Sequence, residues 1–162
     1  MSVKAKRLVN PYEERMLEFL HTCVDNNYKI HTQVSLSQIC EQVSNLDWEL
    51  KKFLFSPSAV DALITDLNYN PCLVVEFQSQ YHDSPEARER DRKKATLLDF
   101  AKVSLIYSRV KDFGKLCLSS QDEQNEVVVC NLFTGEGLDN SQSLIRKYCR
   151  ELIVHQIPLI AW

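Results

Sequence analysis

The sequence predicts an α/β domain, a mixed central sheet flanked by helices. Three observations carry this expectation. Two apolar segments, Ala59–Asp66 and Cys72–Gln78, enclose the turn-forming run Asn68-Tyr69-Asn70-Pro71 and read as a β-hairpin. Segments with helical spacing and cap signals stand on both sides of that hairpin. The 162 residues match one ordinary domain with room for a substantial core, so a single domain is expected over 1–162.

The elements follow in order. Residues 1–9 form a basic N-terminus expected to be flexible, with no apolar signal core behind it. A first helix begins at Asn10, a natural cap, with Pro11 at the first helical position and Glu13 completing a box-like pattern. Tyr12, Met16, Leu20 and Cys23 then recur at helical spacing. Tyr28–Val34 reads as a strand with Ile30, Thr32 and Val34 on one face. Ser35 with Gln38 repeats the cap pattern before a short helix whose apolar face is Leu36, Ile39 and Val43. Asp47–Leu54 is another helical turn or two, ended by Ser56-Pro57-Ser58. The hairpin follows, and the apolar run Cys72–Val75 marks its second strand as central and covered on both faces. Ser84, Pro85 and Glu86 open a charged helix that runs to about Lys102, with Asp91, Lys94, Ala95, Leu98 and Ala101 on one face. Val103–Tyr107 is the next strand. Residues 111–162 form an extension with a strand at Glu126–Cys130 and a helix at Ser141–Ile153. The apolar ending Ile157–Trp162 packs on the core or on a partner, so a homo-oligomer or a protein partner through this region is kept open.

Composition excludes several classes. A hydrophobic fraction of 44% and a charged fraction of 25% are those of a soluble globular protein. No apolar run reaches the length of a membrane span, so no membrane partner and a cytoplasmic location are expected. The formal charge of −3 argues against coating nucleic acid by bulk electrostatics, although a local basic surface is compatible with it. The six cysteines show no CxxC spacing and mostly sit in apolar stretches, the pattern of buried reduced thiols rather than of a structural zinc site.

The chemistry concentrates at the hairpin. Strand alternation puts Glu76 and Gln78 on one face. A carboxylate at the end of a buried strand needs a partner or a cation, because burying it alone is expensive. A hairpin can bring Asp61 beside Glu76, and two carboxylates with an amide oxygen suit a hard divalent cation such as Mg²⁺. The plainer reading makes Asp61 and Glu76 ordinary polar residues paired with Arg88 or Lys94. His21, His31 and His155 have no functional context and read as structural. The charges of the helix after Ser84 otherwise read as a solvated face with internal ion pairs.

The ordered set Asp61, Glu76-Phe77-Gln78, His82 and Arg90-Asp91-Arg92-Lys93-Lys94 resembles the restriction-endonuclease-like PD-(D/E)xK superfamily. Within it, the likeness is to a bacterial domain family related to very-short-patch-repair-like nucleases, and it covers Asn10 to about Val110. Ser79 and Lys102 stand where such domains often have glycine, and Ala62 where they often have an aromatic residue.

The resemblance implies a Mg²⁺- or Mn²⁺-dependent DNA endonuclease, or a nuclease component of repair, defence or mobile-element systems. Asp61 and Glu76 would hold the metal, and Glu13 or Glu14 could extend the site from the first helix. Gln78 replaces the usual lysine and can ligate or orient water without supplying charge. His82 and Lys94 would compensate, with Arg90 and Lys94 facing the phosphate of the DNA. The alternative is a catalytically degenerate nuclease fold that serves as a nucleic-acid or protein interaction module.

Overall fold

A computed structural model describes residues 8–41, 45–78, 84–111, 115–120, 128–131 and 135–155. Helix α1 (Pro11–Cys23) starts where the sequence places its cap. The Asn10 side chain accepts the N–H groups of Tyr12 and Glu13, each at 2.9 Å, and the Glu13 carboxylate accepts the Asn10 N–H at 2.7 Å. This reciprocal box satisfies donors that a helix start leaves open. The helix buries Met16, Phe19, Leu20 and Cys23.

Strand β1 (Tyr28–Ser35) runs directly into the short helix α2 (Leu36–Ile39), and Asp47 caps α3 (Trp48–Leu54). Val43, expected on the apolar face of the second helix, lies outside the described residues. The hairpin forms as expected from β2 (Ala59–Asp66) and β3 (Pro71–Gln78), paired antiparallel. Helix α4 (Pro85–Phe100), capped by the Ser84 hydroxyl, carries the chain across to β4 (Ser104–Lys111). β4 lies parallel to β3, the one parallel step in the described sheet. A parallel neighbour needs such a crossover, and α4 supplies it. Strands β5 (Lys115–Ser120) and β6 (Val128–Asn131) and helix α5 (Gly135–His155) complete the order, so the six strands lie in the sequence β1-β2-β3-β4-β5-β6. The fold is thus α/β, a mixed sheet with helices on both faces. Among the described residues no helix is long and apolar enough to cross a membrane.

Two cores sandwich the sheet. Met16 and Leu20 of α1 and Ile145 and Cys149 of α5 pack on Ala62, Ile64, Leu73 and Val75. On the other side Leu36, Leu54, Leu97 and Leu98 pack on Val60, Leu63, Val74 and Leu105. Cys23, Cys40, Cys72, Cys117 and Cys149 are buried free thiols, as expected.

The sheet departs from simple alternation at one place. Val60 and Leu63, three residues apart, face the same core, whereas Ala62 and Ile64 face the other. The partner strand shifts in step. Ile30 packs with α1 and α5, but Val34 packs on the opposite side, so the single face expected for Ile30, Thr32 and Val34 is broken. The break falls on Gln33, whose φ of 53° lies in the left-handed region, opposite Asp61. A positive-φ residue of this kind kinks a strand and re-aims the residues around it. The sequence offers no glycine there to announce it.

Other boundaries differ from expectation. Helix α4 ends at Phe100, leaving Ala101 exposed, and it buries Leu97, which lies outside the expected face. Strand β5 was not expected, and α5 is longer than its predicted span. Residues 1–7 and Ile157–Trp162 lie outside the described residues.

Candidate functional site

Asp61, at the break in β2, reaches across the hairpin, and its Oδ2 accepts the Phe77 N–H at 2.7 Å. The regular β2–β3 register ends at Ala62 and Val75. Beyond it, a side-chain carboxylate takes the bond that a ladder carbonyl would otherwise accept. The kink therefore both frees this end of the hairpin and aims Asp61 at it.

Glu76 is the next side chain inward on the α4 side of β3, and it is 3% exposed. Lys94, itself buried on α4, donates to Glu76 Oε2 at 2.7 Å and to the Ala59 carbonyl at 3.1 Å. The helix and the hairpin are thus pinned by one charged pair. The other carboxylate oxygen, Glu76 Oε1, is buried with no hydrogen-bond partner among the described residues. Burial pushes the Glu76 carboxyl up from 4.5 to about 7. Lys94 opposes that rise, and the neighbouring charges of Asp61 and Asp91 add to it. Tyr107, beside Glu76 in the parallel register, is held above the ordinary phenol range by its burial and by the same acidic neighbours, Asp91 and Glu76.

A cavity of about 420 Å³ opens at this end of the sheet. Asp61, Glu76, Arg90, Asp91 and Lys94 line it together with Asn10, Tyr12 and Glu13 from the start of α1. Asp61, Glu76, Arg90 and Lys94 are therefore brought together as the sequence expected. Glu13 also reaches the site, whereas Glu14 is exposed and is not among the lining residues. Gln78 ends β3 half-buried and is not part of the cavity wall. His82 lies outside the described residues.

One expectation needs correction. The sequence sets Lys94 on the charged helix to face phosphate, but Lys94 is 8% exposed and bonded inside the fold. Arg92 behaves as part of a solvated face and pairs with Glu89 at 2.7 Å, whereas the Lys93 side chain is half-buried and reaches Glu49 of α3 at 3.3 Å. Asp91 and Asn10 are site residues that the motif reading did not assign. Asp91 was legible as a face-mate of Lys94, three residues along the helix.

Fold and site together define a mixed α/β domain with a buried Glu–Lys pair at the wall of a charged cavity. The chain belongs to the family described as "Protein of unknown function (DUF2726)", which matches residues 5–117 and so takes in every cavity residue named above. No curated protein and no solved structure matches the chain.

Proposed function

We propose that the protein is a Mg²⁺- or Mn²⁺-dependent nuclease that hydrolyses phosphodiester bonds of DNA on a restriction-endonuclease-like domain. The observation that carries this reading is Glu76 Oε1, an acceptor without a partner among the described residues, in a buried carboxylate beside Asp61 at the wall of an open cavity. A buried polar atom without a partner costs free energy, and a cation bound there would repay it.

The residues fit a Mg²⁺ site of the usual sparse kind. Among the described residues no three His, Cys, Asp or Glu side chains form a ready cage. Mg²⁺ characteristically keeps several waters and takes one or two carboxylates plus substrate phosphate. Asp61 and Glu76 would hold it, with Glu13 and Asp91 lining the same cavity. When bound, such an ion supplies an activated water and neutralises charge on the phosphate.

The chain's own groups do the rest. Lys94 uses two of its three donors on Glu76 and Ala59, which fixes its charge at the cavity wall. The third donor would serve a phosphate oxygen as charge builds in the transition state. This is the positive group that Gln78 cannot provide. Arg90, exposed at the rim, would hold a neighbouring phosphate. His82 remains a proposed donor or water-orienting group from the segment after β3.

A second reading is a degenerate nuclease fold acting as an interaction module. The tight Lys94–Glu76 pair and the Asp61–Phe77 bond favour it, since both would also serve a purely structural role. Cleavage decides between them. The purified chain should cut supercoiled and linear DNA with Mg²⁺ or Mn²⁺ and lose that activity in Asp61→Asn and Glu76→Gln. Calorimetry should show metal binding weakened by both changes. Absence of cleavage with any divalent ion, together with equal metal titrations for all three proteins, overturns the nuclease reading.

A further inference from the structure

We propose that a second cleft, between edge strand β1 and the β2–β3 turn, binds an unpaired base of single-stranded nucleic acid; its use in catalysis rests on the nuclease reading, but the binding does not. The cleft is about 460 Å³, and His31, Gln33, Gln38, Thr65 and Tyr69 are among its walls. That combination offers aromatic faces and amides able both to donate and to accept.

Tyr69 is the centre of the argument. It is 63% exposed, and its φ of 66° lies in the left-handed region. A bulky residue there is an outlier, since asparagine or glycine suits that backbone better. The turn supplies the constraint. Asp66 accepts the N–H groups of Asn68 and Asn70 at 2.8 and 2.9 Å and the Asn70 side-chain amide at 2.7 Å. The turn thus has no need of an aromatic ring, yet it holds one out as a plate. Backbone strain kept at a solvent-facing position is a recurrent mark of ligand sites.

The ring is already dressed for an anionic, planar ligand. Lys29 Nζ lies over one face of the Tyr69 ring, 3.7 Å from its centroid, and donates to the Leu67 carbonyl at 3.4 Å, so a base would stack on the other face. The His31 ring stands 5.8 Å from it, tilted by 42°, and is fixed by a 3.0 Å hydrogen bond to Thr65. Asp66 is the nearby opposing charge, and its oxygens are taken up by the turn. A base stacked on Tyr69 would leave its phosphate beside Lys29, the arrangement by which single strands are held without sequence readout.

Register ties this cleft to the cavity. His31 pairs with Leu63, two residues along β2 from Asp61. At strand rise that is about 7 Å, or about two steps of a stacked nucleic-acid strand. Gln33, opposite Asp61, lines the cleft at its near end. The Tyr69 ring stands a further 5.8 Å from His31, so one strand lying across both sites spans about four such steps.

The test is fluorescence anisotropy of the full chain with labelled oligothymidylate, oligouridylate and a DNA duplex, in EDTA so that nothing is cut. The single strands should bind more tightly than the duplex. Tyr69→Asn should weaken single-strand binding roughly tenfold without lowering the thermal midpoint, and Tyr69→Phe should bind like wild type. Lys29→Ala should lower the salt dependence by about one phosphate contact. No single-strand binding by wild type, equal binding by Tyr69→Asn, or a preference for duplex overturns the inference. The two readings fail separately: binding through Tyr69 without cleavage sinks only the nuclease, and cleavage by a chain whose single-strand binding is unchanged in Tyr69→Asn sinks only the cleft.

Discussion

Glu76→Gln in the metal-free protein is the most direct probe of the site, because it replaces the carboxyl by a neutral group of the same shape. The Glu76 carboxyl is raised from 4.5 to about 7, chiefly by burial. A raised acid favours its protonated form in the fold. Its contribution to stability is therefore fully present below pH 4.5 and is lost as pH climbs through about 7. At about 1.4 kcal/mol per pH unit, that interval corresponds to about 3 kcal/mol, a large part of a domain's usual 5–15 kcal/mol or so. Urea unfolding in EDTA, repeated from pH 5 to 8, measures it. Wild type should lose about 2–3 kcal/mol across the series, and Glu76→Gln should lose about 1 kcal/mol or less, the remainder coming from histidines and other groups. Adding Mg²⁺ at pH 8 should restore stability to wild type and not to the variant, since a cation takes over the burden of the buried charge. Parallel pH profiles for the two proteins in EDTA would refute the reasoning, because Glu76 would then not be the group under strain.

Two further outcomes follow from the packing around it. Lys94→Met leaves Glu76 buried without its cation and should cost about 3–5 kcal/mol at pH 8, shrinking toward pH 5 as Glu76 takes a proton, whereas Lys93→Ala should stay within about 0.5 kcal/mol; urea midpoints at the two pH values check both. Asn10→Ala removes the box at the start of α1 and should cost about 1 kcal/mol, read from the thermal midpoint, with Asn10→Asp close to wild type.

The hairpin, the caps at Asn10, Ser35 and Ser84, and the crossover helix were legible because each is written in local chemistry. A cap needs one side chain at one position, and a tight turn needs Asn and Pro within four residues. Glu76 could be singled out because a carboxylate closing a run of apolar strand residues conflicts with its surroundings. Lys94 was one of the two partners the sequence offered, beside Arg88, but its burial was not legible. Lys94 lies among Arg92, Lys93 and Asp91 on a helix that reads as solvated, and only the contact with β3 distinguishes it. Strand β5 escaped because Lys115–Ser120 is short and bounded by charge, and its strand state depends on pairing with β4 and β6.

The kink at Gln33 and Asp61 was illegible for a different reason, and it is the feature on which the site depends. Period-2 reading places Asp61 on the Leu63 face and Val34 on the Ile30 face. The tertiary solution instead lets Val60 and Val34 join the core beneath α2, α3 and α4. Burying Val60 and partly covering Val34 favours that switch, since an apolar side chain fully removed from water gains about 1.5–3 kcal/mol. A left-handed residue costs about 1–3 kcal/mol, which that gain offsets. Asp61 is left at the crossing point, where neither face claims it and its carboxylate can turn into the plane of the sheet toward Phe77. Gln33 is left at the same crossing point on the edge strand, where it joins the Tyr69 cleft. The packing of two apolar residues thus sets the position of a candidate metal ligand on one side and of a cleft wall on the other, and a change at Val34 or Val60 should disturb both sites while touching neither directly.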